Sequence, residues 1–256
     1  MATVVPLVTY PPSLDCEVGR WLSFRFGPEY KECGHSLFVF PFAIKHYNSP
    51  LPGAPTLVLP GKVLSGARAI SEHFEALVPV SQRLIPADEA GQAAVAAAWD
   101  EYSIKMGGSV RSWAYFNFLQ AREAMLPVFL HAIPWYEKPL VHLTYGVLRD
   151  FLLTKLELNQ RVAELALLDV KKFFATIEAT LADGRPYLLG QQFTMCDLLF
   201  AVNAAPMLLP AEHQGALPKF ENVPEAAQKT ITELRASPTG QYVLRIYREQ
   251  RLAKVG

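Results

Sequence analysis

The sequence carries no excess of either charge: 24 Lys and Arg stand against 24 Asp and Glu in 256 residues. With no net field it has nothing long-ranged to gather nucleic acid or anionic lipid, so any anion must be held locally. Cysteine is scarce and odd in number. Cys16, Cys33 and Cys196 are too scattered for a disulfide framework or a metal-ligand spacing, which favours a reducing compartment. No stretch approaches about 18 uninterrupted apolar residues, and the opening MATVVPLVTYPPSLD lacks the basic start and apolar core of a secretory signal. The expectation is a cytoplasmic chain with neither membrane nor nucleic acid among its partners. The six histidines show no HExxH spacing and there is no Gly-x-Ser-x-Gly elbow. Gly61 and Gly66 have the spacing of a P-loop but lack the Lys and hydroxyl that must follow it. Metal, hydrolase and nucleotide chemistry therefore have no anchor.

What is present is a generous interior: 51% hydrophobic against 19% charged residues, the balance of a globular protein. The length allows two modest domains, each with its own core. The first part alternates. Residues 3–8 are β-branched and apolar, 17–26 have helical spacing, and 37–44 form an apolar run that predicts a second strand. A turn-rich stretch, 48–54, leads to a strand after Pro55, a turn at Pro60-Gly61, a short strand over 62–64 and a helix over 67–77. That order is β-α-β followed by β-β-α. Two further turn or cap signals, Pro86 and Asp88, precede an alanine-rich helix, which puts a linker at 80–89 between a domain at 1–79 and another at 90–256. From residue 90 helical periodicity prevails, over about 90–105, 110–125, to 154 after an interruption at 134–139, and 159–182.

One local signal is sharper. In Phe193-Thr194-Met195-Cys196-Asp197-Leu198, Thr194 is placed as an N-cap with Asp197 three residues on to reach back to it, and Phe193 and Leu198 stand where a hydrophobic staple closes. A helix must start there. The surrounding GRPYLLGQQFTMCDLLFA, residues 184–201, resembles the capping-box region in the C-terminal domain of glutathione transferases. Ala54-Pro55-Thr56-Leu57 is similar to that family's cis-proline loop, Ala69-Ile70 with Phe74 to its next helix, and Ala236-Ser237-Pro238 to its last helix. The resemblance implies an α/β thioredoxin-like N-terminal domain followed by an all-α C-terminal bundle, glutathione as substrate, and a homodimer.

It also implies where the chemistry lies. A thiolate nucleophile derived from a thiol of pKa about 8.5 needs a hydrogen-bond donor, and the family supplies one between the first strand and first helix. Here Ser13-x-x-Cys16-x-x-x-Arg20 resembles the serine-type classes and makes Ser13 the first candidate. Tyr10 is the second, a phenol about one residue from the tyrosine-type position. Cys16 is the third, near a helix N-terminus whose dipole favours a thiolate. Each has a plainer reading: a cap, a packed aromatic, a small buried hydrophobe. Glutathione would lie along Ala54 and Pro55, pairing with backbone turned outward by a cis bond.

Two departures bear on glutathione rather than on the fold. The acidic-or-Gln and Ser pair that holds the γ-glutamyl end falls on Gly66-Ala67, with Ser65 one residue early and the Gly66 backbone N–H as the remaining donor. The helix that the family places before the cis-proline loop has no room between His46 and Pro55 and is expected to be absent. The aromatic run Trp113, Tyr115 and Phe116 reads as core, or as the wall of a pocket for an apolar co-substrate. Two functions follow: conjugation of glutathione to an apolar electrophile, or a non-catalytic scaffold that keeps the fold for an apolar ligand or protein partner. Thiol exchange at Cys16 is a third.

Overall fold

The computed structural model describes residues 4–49 and 53–255. Thr3, which opens the first expected strand, and the middle of the 48–54 turn lie outside that range. Four strands form one mixed sheet in the order β2-β1-β3-β4, with β1 Val5–Thr9, β2 Tyr30–Gly34, β3 Thr56–Leu59 and β4 Lys62–Ser65. β1 runs parallel to β2 and antiparallel to β3, and β3 is antiparallel to β4. Pro6 is tolerated in an inner strand because β3 pairs only with Leu7 and Val8, so the missing N–H has no ladder partner to lose. The strand's period of two separates two cores. Val5 and Leu7 face the large core with α1 (Leu14–Phe26) and α3 (Ala67–Leu77), whereas Val8 faces Ala43 and Ile44 of α2 (Phe40–His46).

That arrangement corrects two expectations. The second strand is Tyr30–Gly34, and the run over 37–44 mostly forms α2 instead. An unalternating apolar run does not distinguish strand from buried helix, and Pro41 sits in the first helical turn, where an N–H needs no partner. The polar strand Tyr-Lys-Glu-Cys-Gly carries no apolar alternation, because the half-buried Glu32 is held there by pairing with Arg20 and Thr9. It follows that the helix expected to be absent before Pro55 is present, ahead of His46 rather than after it.

The rest is helical, and among the described residues no further named strand follows β4. The segment between the two parts is pinned. Glu75 accepts hydrogen bonds from the Leu84 and Ile85 backbones at 2.9 and 3.2 Å, and the Leu84 carbonyl accepts from Met195 N at 2.8 Å. α4 (Glu89–Ala98) starts on Asp88, which accepts from Gly91 N at 2.8 Å. It runs through a π-helical stretch, Trp99–Met106, into α5 (Gly107–Phe118). Gly107 does not interrupt the rod; a Cβ there would lie 2.5 Å from Asn203 Oδ1, so glycine serves the packing of the next helix. α6 (Arg122–Phe129), α7 (Lys138–Lys155) and α8 (Gln160–Leu181) follow.

The helix expected at Thr194 is α9 (Met195–Leu208), buried along its whole length. Asp197 Oδ2 accepts from both the backbone N–H and the hydroxyl of Thr194 at 2.7 Å, while Oδ1 accepts from Leu188 N at 2.7 Å and from the Tyr242 hydroxyl. The box is thus also a joint between loops. α10 (Glu225–Ala236) and α11 (Pro238–Gln250) close the bundle.

Candidate active site

The loop between β1 and α1 is a tight turn in which Ser13 N donates to the Tyr10 carbonyl at 3.0 Å. Ser13 is the N-cap of α1 with extended backbone, yet its side chain makes no capping bond. The hydroxyl is not spent on the helix start and instead hydrogen-bonds the sulfur of Cys16. A cavity of about 210 Å³ opens beside it, between this loop and the helices. Ser13 and Tyr10 line it together with Tyr115 and Phe118 of α5, Asn203 of α9, and His213.

The Tyr10 ring is partly exposed, but its hydroxyl is buried with no hydrogen-bond partner among the described residues. Burial, and then the neighbouring Tyr115 phenol, hold its pKa well above the ordinary range, so Tyr10 is a neutral donor at physiological pH. Cys16 has the opposite of a thiolate's environment. It is fully buried, and burial pushes its pKa up to about 12 against the pull of Arg20, the Tyr10 backbone and the Ser13 hydroxyl.

The other expected residues gather at a second place. The Ala54–Pro55 bond is cis, and the Pro55 ring packs on α1 where a Cβ at Gly19 would come within 2.4 Å of Pro55 Cγ. Thr56 stands opposite Ser65 in the β3–β4 ladder, and Gly66 caps α3 at φ +88° with its N–H donated to the Pro55 carbonyl at 2.8 Å. The backbone donor expected to meet a carboxylate is engaged within the protein. Ala54, Pro55, Ser65, Gly66 and Ala67 lie together at one end of the β3–β4 pair, but none lines the cavity. Of the aromatic run, Tyr115 reaches the cavity; Trp113 is in the core, edge-on to Phe118 with ring centres 5.5 Å apart, and Phe116 is half-buried.

Sequence reasoning missed Asn203, His213 and the exposed rim pair Asp15 and Arg111. Asn203 anchors itself through Nδ2 to the Leu199 carbonyl at 2.8 Å, and His213 Nδ1 donates to the Gly215 carbonyl at 2.8 Å. Their signal is tertiary: they reach the loop at Tyr10 from about 190 and 200 residues away. Also missed was a buried ionic cluster behind the cavity. Glu17 meets Arg251 Nε at 2.6 Å and Arg20 Nη1 at 3.4 Å, and Arg20 Nη2 meets Glu32 at 2.7 Å, with Arg20, Glu17 and Arg251 all inaccessible to solvent. Among the described residues no group of three His, Cys, Asp or Glu side chains is placed to hold a metal, and no helix is long and apolar enough to cross a membrane.

No protein-family model matches the chain, and no curated protein sequence does. Solved structures do. A glutathione S-transferase from Sinorhizobium meliloti 1021 is 15% identical and superimposes with a TM-score of 0.56 over 97% of this chain and 99% of its own. The β-etherase LigF from Sphingobium sp. strain SYK-6 is 17% identical over 95% of this chain and 99% of its own, with a TM-score of 0.59. A theta class glutathione S-transferase from the citrus canker pathogen Xanthomonas axonopodis pv. citri, solved with glutathione bound, is 17% identical over 96% and 98%, with a TM-score of 0.51. Similarity at this level speaks for architecture and leaves the chemistry to the site, and on that architecture the agreement is full-length: the chain has the glutathione transferase fold, a thioredoxin-like domain followed by a helical one.

Proposed function

We propose that the protein is a glutathione-dependent transferase that conjugates the glutathione thiolate to a small apolar electrophile. The observation that supports this most is one cavity shared by a hydroxyl not spent on helix capping, Ser13, a neutral phenol, Tyr10, and an apolar wall from the helical domain. In this reading glutathione lies along Ala54 and Pro55 with its sulfur at Ser13. A hydrogen bond to a charged acceptor is worth about 1.5–3 kcal/mol, and each pKa unit corresponds to about 1.36 kcal/mol. One or two donors therefore bring a thiol of pKa about 8.5 into the range where thiolate prevails near pH 7. The thiol proton leaves to solvent, and the S–C bond forms as the electrophile releases its leaving group or opens a π bond. Catalysis comes from thiolate stabilisation and from holding both partners together. An apolar cavity of about 150 Å³ takes up benzene. A cavity of about 210 Å³ thus suits a single-ring electrophile. A cytoplasmic homodimer completes this reading.

Calorimetric titration with glutathione tests binding, and turnover of a one-ring aryl halide tests the chemistry. Ser13→Ala should lower turnover by about tenfold or more with little change in glutathione affinity, because the lost hydrogen bond acts on the thiolate. Equal turnover in the variant would remove Ser13 from the mechanism. The scaffold reading has its own support in Gly66 and Ala67, which offer no side-chain donor, and in the Gly66 N–H, which is engaged by the Pro55 carbonyl. It predicts no heat with glutathione, while an apolar ring compound still binds.

A further inference from the structure

Asn203 is out of keeping with its helix. Apart from Asp197 of the capping box, it is the one side chain of α9 that carries a nitrogen or an oxygen, and it is 1% exposed. Burying an amide is costly unless its groups are paired. The orientation of this amide is fixed, because Nδ2 can only donate and does so to the Leu199 carbonyl at 2.8 Å and to Ser103 Oγ at 3.4 Å. Both amide hydrogens are then spent. Oδ1 stays over Gly107, where a Cβ would come within 2.5 Å of it, and accepts no hydrogen bond among the described residues. Ser103 is its counterpart. Its oxygen accepts from Asn203, which leaves the O–H to donate, and among the described residues no acceptor meets it. Both side chains line the cavity. Ser103 is presented there by the π-helical stretch Trp99–Met106, a form that is rare and frequent at functional sites.

The cavity also has a direction. Ser103, Gly107, Arg111, Ala114 and Phe118 recur at helical spacing along one face of the rod that ends in α5, and at about 1.5 Å per residue they span about 20 Å. At the far end Phe118 is joined by Met125 and Val128 of α6, the next helix in the chain. The loop at 10–15 runs alongside, with Tyr10 beside Tyr115 and Asp15 beside Arg111. One end of the cavity is thus apolar, and the other sets a donor next to an acceptor. We infer that the Ser103–Asn203 end is a recognition site for an uncharged group that both donates and accepts, a hydroxyl or a primary carboxamide, so that the cavity takes a ring carrying such a group on a short chain. A carboxylate can only accept and would set its charge against Asn203 Oδ1. The cation at the rim does not reverse this preference, since Arg111 is exposed and faces Asp15. The inference rests on the cavity as the co-substrate site of the reading above, and narrows the electrophile from any apolar ring to one that bears this group. It does not depend on glutathione.

Calorimetric titration of the full chain with three probes tests it: toluene, phenylbutyramide and phenylbutyrate. The amide should bind at least about tenfold more tightly than the carboxylate of the same shape, because it alone can serve both Ser103 and Asn203. Ser103→Ala removes the donor at a half-buried position whose hydroxyl holds one long bond. The variant should lose about threefold to tenfold in phenylbutyramide affinity, while toluene, which needs the apolar end alone, binds as before and shows that the cavity is intact. Equal affinity for the two polar probes, a preference for the carboxylate, or an amide affinity untouched by Ser103→Ala overturns the inference and leaves Asn203 as a structural tie between α9 and the π-helical stretch. If no probe binds, the inference falls together with the co-substrate site. Recognition of the amide without any heat from glutathione upholds the inference and removes the transferase reading instead.

Discussion

Replacing Glu17 by Gln removes one charge from the most densely paired point in the protein. Its carboxylate meets Arg251 Nε at 2.6 Å, Arg20 Nη1 at 3.4 Å and the backbone N–H of Gly215 at 3.2 Å, so it ties α1 to the end of α11 and to the loop at 213–217. Burial on its own would raise the Glu17 pKa, but His213, Arg251 and Arg20 outweigh it and hold the group at about 2. Glutamine keeps the shape and loses the charge, which leaves the inaccessible Arg251 guanidinium uncompensated over the Trp21 ring. Breaking a buried pair in this way costs about 3–5 kcal/mol. For a chain of this size that lowers Tm by about 6–20 °C at neutral pH. The pH dependence gives a second reading. A carboxylate whose folded pKa is about 2 against an ordinary 4.5 contributes stability that is complete above pH 4.5 and lost as pH falls through 2. Calorimetric scans of wild type and Glu17→Gln should therefore stay apart by a constant gap above about pH 5 and converge on acidification. A gap under about 2 °C at pH 7, or one that widens toward low pH, would refute the assignment of stability to this charge.

Asp197→Ala strips acceptors from Leu188 N, Thr194 N, the Thr194 hydroxyl and the Tyr242 hydroxyl. At about 1–3 kcal/mol for each buried orphan, urea unfolding should show a loss of about 4 kcal/mol or more, and a loss below 2 would mean that water replaces the carboxylate. Cys16, buried and raised to about 12, should react with iodoacetamide at pH 8 only on unfolding, after the partly exposed Cys33; prompt labelling of Cys16 in a peptide map would contradict that environment. Gly19→Ala drives a methyl to within 2.4 Å of Pro55 Cγ, so overpacking of about 1–3 kcal/mol should exceed the helix gain of about 1. Both Tm and any glutathione affinity should fall, whereas a more stable variant with unchanged affinity would show that the loop yields freely.

The parts of the fold that were legible are those in which a local pattern has one physical solution. Thr194 and Asp197 at a spacing of three, before an apolar run, can satisfy the orphan donors of a helix start in one way, and α9 begins there. Pro55 between an alanine and a β-branched residue marks the loop, and the cis bond is found there. Where a pattern had two solutions the reading failed. The run over 37–44 is as apolar as a buried strand, and only its place beyond Gly34, with Pro41 in a first turn, makes it a helix. β2 was hidden for the converse reason: Glu32 looks like a loop residue until Arg20 and Thr9 are seen to bind it at 2.7 Å.

The site was legible only on one side, and the cause is the same contrast between local and distant constraint. Tyr10 and Ser13 are neighbours in a turn, so their chemistry can be weighed from sequence; whether a hydroxyl there is free depends on what α1 requires of its cap, and the helix proves to use the Ser13 backbone alone. Gly66 shows the limit. Its amide is a sound anion donor as an isolated helix start, but the Pro55 carbonyl, eleven residues away, reaches it first. The opposite wall is built by Tyr115, Asn203 and His213, and the charge cluster behind it by Glu17 and Arg251, 234 residues apart. A balanced composition conceals such a cluster, since two arginines and two glutamates that neutralise one another in the interior leave the net charge at zero. Local held charge, the one kind of anion recognition that the sequence left open, is thus directed inward in this protein, toward its own carboxylates. A ligand at the cavity meets hydroxyls, one amide, the His213 ring and the rim pair Asp15 and Arg111, with no cluster of cations for a phosphate.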